Sequence, residues 1–209
     1  MAKPILGAQM YTVHKLTQTN EGFLDSLKKI RDIGYTTVQV SGIGAEVDPE
    51  VVAVGLEETG LRCAITHMSW DLFLKDIKTV IAKHKMWKCE HTAIGGLFTP
   101  DYQGLAGLDK FLGELPPVLK QLKAEGLDFS FHNHSHELIR MENGQTWLEA
   151  LYKRTDPSDL KAEIDTYWIQ HGGADPARWV ERYGRRMPVL HIKDMKITSE
   201  RVQRYAPIG

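Results

Sequence analysis

Only two cysteines, Cys63 and Cys89, occur in the 209 residues, and no CxxC spacing links them. That excludes a disulfide scaffold and makes a reducing cytoplasm the expected setting. An excess of charge is missing as well: 26 Lys and Arg face 27 Asp and Glu, for a formal charge of −1. With no broad field implied, neither nucleic acid nor an anionic membrane surface is the expected partner. No apolar run approaches the roughly 20 residues that span a bilayer. The start, MAKPILGAQM, lacks the apolar stretch of a signal peptide. No GxGxxG follows the first β-prone segment and no GxSxG occurs anywhere, which argues against an open dinucleotide-binding sheet and a serine nucleophile elbow. What remains, 42% hydrophobic and 25% charged, is the composition of one globular domain over residues 1–209. Nine histidines are more than such a domain needs, and they cluster.

One rhythm runs along the chain. β-prone segments fall at 5–13, 36–40, 62–70, 91–97, 127–138, 160–168 and 188–195. Between them apolar residues recur at helical spacing, as in Phe23, Leu27, Ile30 and Ile33. Gly34 and Gly60 stop helices, and Asp48-Pro49 and Asp175-Pro176 start them. Pro116-Pro117 is expected to break the helix patterned over 108–123. Strands alternating with helices predict a parallel sheet with right-handed crossovers. A (β/α)8 TIM barrel fits better than an open sheet, with about seven β/α units present and the eighth missing at the C-terminus.

In a barrel, reactive side chains sit at the C-terminal ends of strands, and strand residues alternate in and out. Gln9 and Tyr11 end strand one, Gln39 and Ser41 strand two, and His67 strand three. His132, His134 and His136 end strand five, Asp165 and Tyr167 strand six, His191 and Lys193 strand seven. Each set keeps the period of two that places it on one face. A carboxylate following Ala-Glu-Ile, as Asp165 does, would be buried, and buried carboxylates are paired or bind metal. His132, Asp165 and His191 thus offer donors from three successive strands, with His134 as an alternative to His132. Mixed imidazole and carboxylate donors suit Mn²⁺, Zn²⁺, Co²⁺ or Fe²⁺ better than Mg²⁺ or Ca²⁺. His14, His84, His91 and His171 read as loop or helix-surface residues, and the two cysteines as small buried hydrophobes.

The stretches QMYTV (9–13), FHNHSHEL (131–138), AEIDTYWIQHGGADPARWVERYGRR (162–186) and PVLHIKDM (188–195) resemble, in order and spacing, the xylose-isomerase-like TIM-barrel superfamily. The likeness is to its sugar phosphate isomerase/epimerase members, in the branch with HNH in strand five. It implies a divalent metal at the barrel mouth, held by Asp165, His191 and His132, the last standing where many members carry Glu. Gln39 likewise takes the place of a Glu; it is neutral and can only hydrogen-bond. The family's eighth-strand Glu, both ligand and base, has no counterpart before Gly209.

The implied chemistry is proton transfer beside the carbonyl of a sugar, keto-sugar or polyol derivative. Glu137 or neutral His134 would be the base, and Lys193 would polarise oxygen. Gln9, Tyr11, Gln39, His67 and Tyr167 would contact the substrate. The same site could serve a keto-sugar or inosose dehydratase or lyase. An abasic-site endonuclease would need more ligands and a basic surface. A truncated, non-catalytic barrel acting as a binding or assembly partner is the remaining alternative. Without an eighth strand the sheet edges need cover: either the chain is part of a longer barrel, or the gap is expected to be filled by a neighbouring chain in a homo-oligomer, a swapped segment or residues 197–208 folding back.

Overall fold

The computed structural model describes residues 4–209; residues 1–3, part of the amino-terminal stretch read above, lie outside the described residues. Strand and helix alternate: β1 (Ala8–Gln9), α1 (Asn20–Ile33), β2 (Thr37–Val40), α2 (Pro49–Thr59), β3 (Arg62–Met68), α3 (Trp70–Lys75), α4 (Ile77–Met86), β4 (His91–Ile94) and α5 (Gly104–Ala124). There follow β5 (Asp128–His132), α6 (Trp147–Lys153), β6 (Leu160–Asp165), α7 (Thr166–His171), α8 (Pro176–Tyr183), β7 (Val189–His191), β8 (Asp194–Ile197) and β9 (Gln203–Ala206). Strands β1 to β7 are ordered as in the chain. β8 pairs antiparallel with β9 instead of extending that series, so the described residues hold seven barrel strands, the first six of them followed by a helix. No helix among them is long and apolar enough to cross a membrane.

Contacts divide the chain into two compact units, one running up to Ala93 and including Gln121–Asp128, the other comprising Ile94–Lys120 and Phe129–Gly209. In the first, β1, β2 and β3 pair in parallel. Phe23, Leu27, Val38, Val40, Val52 and Cys63 pack in its core. The expected helix boundaries hold for physical reasons. Thr19 accepts from Gly22 N at the start of α1, and Gly34 ends it at φ 110°. Asp48 accepts from Glu50 N before Pro49, and Gly60 ends α2 at φ 64°.

His84 corrects the sequence reading. It is not a surface residue but fully buried. Its Nδ1–H donates to Val80 O at 2.7 Å and its Nε2 accepts from the Thr66 hydroxyl at 2.8 Å, which in turn lies 3.0 Å from Thr92 Oγ1. Burial pushes its pKa down, only partly opposed by the Val80 and His91 backbone groups. The folded state therefore favours neutral imidazole. That contribution is complete above the unfolded pKa of about 6.5 and is lost as pH falls through the lower folded value. His84→Gln is expected to cost about 1–2 kcal/mol at pH 7. It should also flatten the fall in stability between pH 6.5 and 5, measured by urea unfolding.

In the second unit β5, β6 and β7 pair in parallel, with His132 opposite Glu163 and Asp165 opposite His191. Phe111, Phe131 and Trp147 form its aromatic core, with ring centroids 5.3–5.8 Å apart. α5 does not break at Pro116-Pro117, as the sequence suggested; it runs through both. The buried stripe Leu108, Phe111, Leu115, Val118 and Leu122 continues on either side of the prolines, so packing outweighs two missing N–H donors.

Several strands are shorter than their β-prone segments. β1 gives way to a 3-10 turn over Met10–Leu16, capped by Gln9. β4 ends at Ile94, ahead of Gly96 at φ 136°. β5 ends at His132, β6 at Asp165 and β7 at His191.

Candidate metal centre

The strand ends of the second unit bring two imidazoles and two carboxylates together. His132, Glu163, Asp165 and His191 are all shielded, with Glu163 wholly buried and Asp165 1% exposed. Donor atoms of His132, Glu163 and His191 lie within 4.8 Å of one another. The two carboxylates, two residues apart on β6, bracket both rings. Glu163 lies 3.5 Å from His132 Nδ1 and 3.1 Å from His191 Nε2. Asp165 lies 3.9 Å from His132 Nε2 and 3.7 Å from His191 Nδ1. Each ring thus has one nitrogen toward each carboxylate.

Burial lowers the basicity of His191, but Glu163 and Asp165 outweigh it and push its pKa up to about 9. A cation entering here must displace that proton. The donor set fits a borderline transition metal: imidazole and carboxylate, buried, with a second carboxylate to orient the rings.

Backbone ties fix the strand ends. Asn133 Oδ1 accepts from Asp165 N at 2.9 Å, joining β5 to β6. Asp165 also caps α7, accepting from Trp168 N at 3.2 Å. The Thr166 hydroxyl donates to Lys193 O at 2.8 Å and accepts from Lys193 N at 2.9 Å. Lys193 Nζ lies 3.8 Å from Asp165 and 4.9, 5.1 and 4.3 Å from the ring centres of Tyr167, Trp168 and Tyr205. Desolvation in this aromatic surround lowers its pKa, partly offset by Asp165.

The remaining expected site residues sit on several elements. His134 and His136 do not share a strand face with His132, because the strand has already ended. The His134 ring lies 5.0 Å from that of His132 and packs on Phe98 and Trp168 at 4.8 and 4.9 Å. Glu137 is buried; its Oε2 accepts from His134 N at 2.7 Å and its Oε1 lies 3.0 Å from His136 Nε2. Tyr167 is on α7, not on strand six. In the first unit Gln9 Oε1 accepts from Tyr11 N and from the Ser41 hydroxyl. Tyr11 lies on the 3-10 turn and is exposed, not on a strand as expected. Gln39 is buried on β2 and His67 half-buried on β3. Glu163, Asn133, Trp168 and Tyr205 were missed by the sequence reading. Glu163 carried a usable signal, since it sits two residues before Asp165 and so shares its face.

No family model matches the sequence, and no curated protein matches it significantly. Solved structures do match. A sugar phosphate isomerase/epimerase from Parabacteroides distasonis aligns over 96% of this chain and 78% of its own, with TM-score 0.78 and 21% identity. A xylose isomerase domain protein from Planctomyces limnophilus aligns over 100% and 83%, with TM-score 0.69 and 12% identity. The probable 3-DHS dehydratase AsbF of Bacillus anthracis, involved in petrobactin synthesis, aligns over 92% and 74%, with TM-score 0.71 and 13% identity. With its parallel strands in chain order, the chain has the fold of the xylose isomerase-like TIM-barrel proteins, the sugar phosphate isomerase/epimerases among them.

Proposed function

We propose that the chain is a metal-dependent enzyme that moves a proton beside the carbonyl of a sugar, keto-sugar or polyol derivative, as an isomerase or epimerase. The observation that carries this reading is the buried pair of carboxylates bracketing two imidazoles at adjacent strand ends. Folding alone does not call for it, since barrel stability resides in the apolar layers below. Asp165 with His132 Nε2 and His191 Nδ1 would hold the cation on the side toward the strand ends. Glu163, deeper on the strand, would receive the opposite ring N–H groups and fix the tautomers. Bound there, a divalent cation supplies Lewis-acid polarisation of a carbonyl and its neighbouring hydroxyl.

The chain's own groups account for the rest. Lys193 presents its ammonium beside Asp165 to hydrogen-bond a substrate oxygen where negative charge grows. His134, next to His132, takes the proton as a neutral imidazole, and Glu137 holds its backbone in place. The faces of Tyr167 and Trp168 shield this end of the site from water. A dehydratase on the same residues is the second reading, favoured by the fold shared with AsbF; Lys193 would then protonate a departing hydroxyl.

The test combines metal content with isotope exchange on a panel of ketoses and inososes in deuterated water. Expected is metal-dependent incorporation of deuterium at the carbon next to the carbonyl. Conversion without incorporation and with the hydride moving intact to the neighbouring carbon would overturn the proton-transfer reading, and loss of water without interconversion would select the dehydratase.

A further inference from the structure

The first unit buries both cysteines of the chain, and it buries them together. Cys63 is the second residue of β3, and Cys89 lies two residues before β4, the next strand of the sheet. They are 4% and 2% exposed and belong to one core cluster with Val38, Val40, Leu61 and Trp87. Each sulfur rests against the carbonyl two residues further along: Cys63 Sγ is 3.6 Å from Ile65 O, and Cys89 Sγ 3.2 Å from His91 O. The two side chains also hydrogen-bond to each other. We propose that Cys63 and Cys89 form a peroxide-reactive dithiol, oxidised reversibly to a disulfide that ties β3 to the segment leading into β4.

Three observations carry this, all within the first unit and none dependent on the metal centre. First, the side chains converge. A disulfide forms without backbone movement only where the two Cβ–Sγ bonds point toward one another. Sulfurs in hydrogen-bond contact, on segments held side by side by neighbouring strands, meet that condition. Second, the thiols are unequal. Their mutual hydrogen bond, with burial added, pushes the Cys63 thiol well up. The same bond holds Cys89 below the ordinary thiol range against its own burial, and the charge of Arg62 helps. Cys89 is therefore the nucleophile and Cys63 the thiol that resolves. Third, Cys89 is the one nearer to solvent. It stands between the exposed residues Lys88 and Glu90, so a small local opening admits an oxidant scarcely larger than water.

The chemistry balances with hydrogen peroxide as the oxidant. The Cys89 thiolate attacks one peroxide oxygen, the O–O bond breaks, and the hydroxide that leaves takes up the proton Cys89 has released. Cys63 sulfur then attacks the Cys89 sulfenic sulfur. The S–O bond breaks, and its oxygen departs as water with the Cys63 proton. Two thiols lose two electrons, and peroxide is reduced to two waters.

The experiment treats the full chain with hydrogen peroxide in native buffer, blocks remaining thiols after denaturation, and maps unreduced peptides by mass spectrometry. Expected is one intrachain link between the Cys63 and Cys89 peptides, with loss of two hydrogens and full reversal by dithiothreitol. The link should form roughly tenfold or more faster than the chain unfolds globally, as measured by urea kinetics extrapolated to the same buffer. Cys63→Ala should halt the reaction at a Cys89 sulfenic acid that dimedone traps, whereas Cys89→Ala should leave Cys63 unlabelled. No link, a link only between two chains, or a link formed no faster than unfolding would overturn the proposal, as would dimedone on Cys63 in Cys89→Ala with none on Cys89 in Cys63→Ala. Circular dichroism verifies the fold of both variants; should either fail to fold, the link and its rate in the unaltered chain decide.

Discussion

Asp165→Ala is expected to leave the purified chain without stoichiometric metal, while Glu163→Gln retains a site weakened roughly 10–100-fold. The ranking follows from the two carboxylates' positions around the same rings. Asp165 faces His132 Nε2 and His191 Nδ1 and would be a ligand; Glu163 faces the opposite nitrogens and would orient them. Metal analysis after dialysis, with circular dichroism to verify the fold, reads the difference. The fold should survive, since Glu163 stays 3.1 Å from His191 to pair it and the lost cap of α7 costs about 1 kcal/mol. The reverse ranking, with Glu163→Gln metal-free and Asp165→Ala loaded, would make Glu163 the ligand and overturn the arrangement.

Glu163→Ala in metal-stripped protein should be the most destabilising single change at the site, and its cost should depend on pH. His191 titrates near 9 because Glu163 and Asp165 outweigh its desolvation. Its folded pKa is raised, so the stabilisation is complete below the unfolded value of about 6.5 and disappears as pH rises through about 9. The raised value corresponds to about 3 kcal/mol, in the range for breaking a buried ion pair. Urea unfolding at pH 6 should therefore show a loss on the order of 3 kcal/mol. At pH 9.5 the difference should shrink toward the cost of the cavity alone. A loss independent of pH would mean that the Glu163–His191 contact contributes packing rather than charge.

The order of strands and helices was legible because hydrophobic period and punctuation agree locally: Asp48-Pro49 and Asp175-Pro176 start helices, and Gly34 and Gly60 end them. Strand ends were less so. Tyr167 and Trp168 are as β-prone as the residues before them. Yet β6 stops at Asp165, because that carboxylate caps the following helix and starts it one residue on. Similarly, the alternation of His132, His134 and His136 suggested one face, whereas Glu137 folds the chain back by accepting from His134 N. His84 was misplaced because its partner Thr66, and Thr92 bonded to Thr66 in turn, come from two other segments that no local pattern joins to it. Among the site residues, Asp165 and His191 stood out as polar groups in apolar strands. Glu163 did not, although its spacing from Asp165 puts it on the same face, because a Glu beside Lys161 and Ala162 also reads as an exposed position; the pairing with His132 decides it.

One carboxylate ends a strand, begins a helix and belongs to the candidate ligand set. Asp165 spends one oxygen on Trp168 N, while the other faces His132, His191 and Lys193. The first turn of α7 and the loading of the site therefore share a single hinge pin. A cation that pulls on Asp165 tugs on the amide of Trp168, whose indole forms part of the surround of Lys193. Occupancy of the centre would then be audible one helical turn away, as slower hydrogen exchange at Trp168 N, before any substrate arrives.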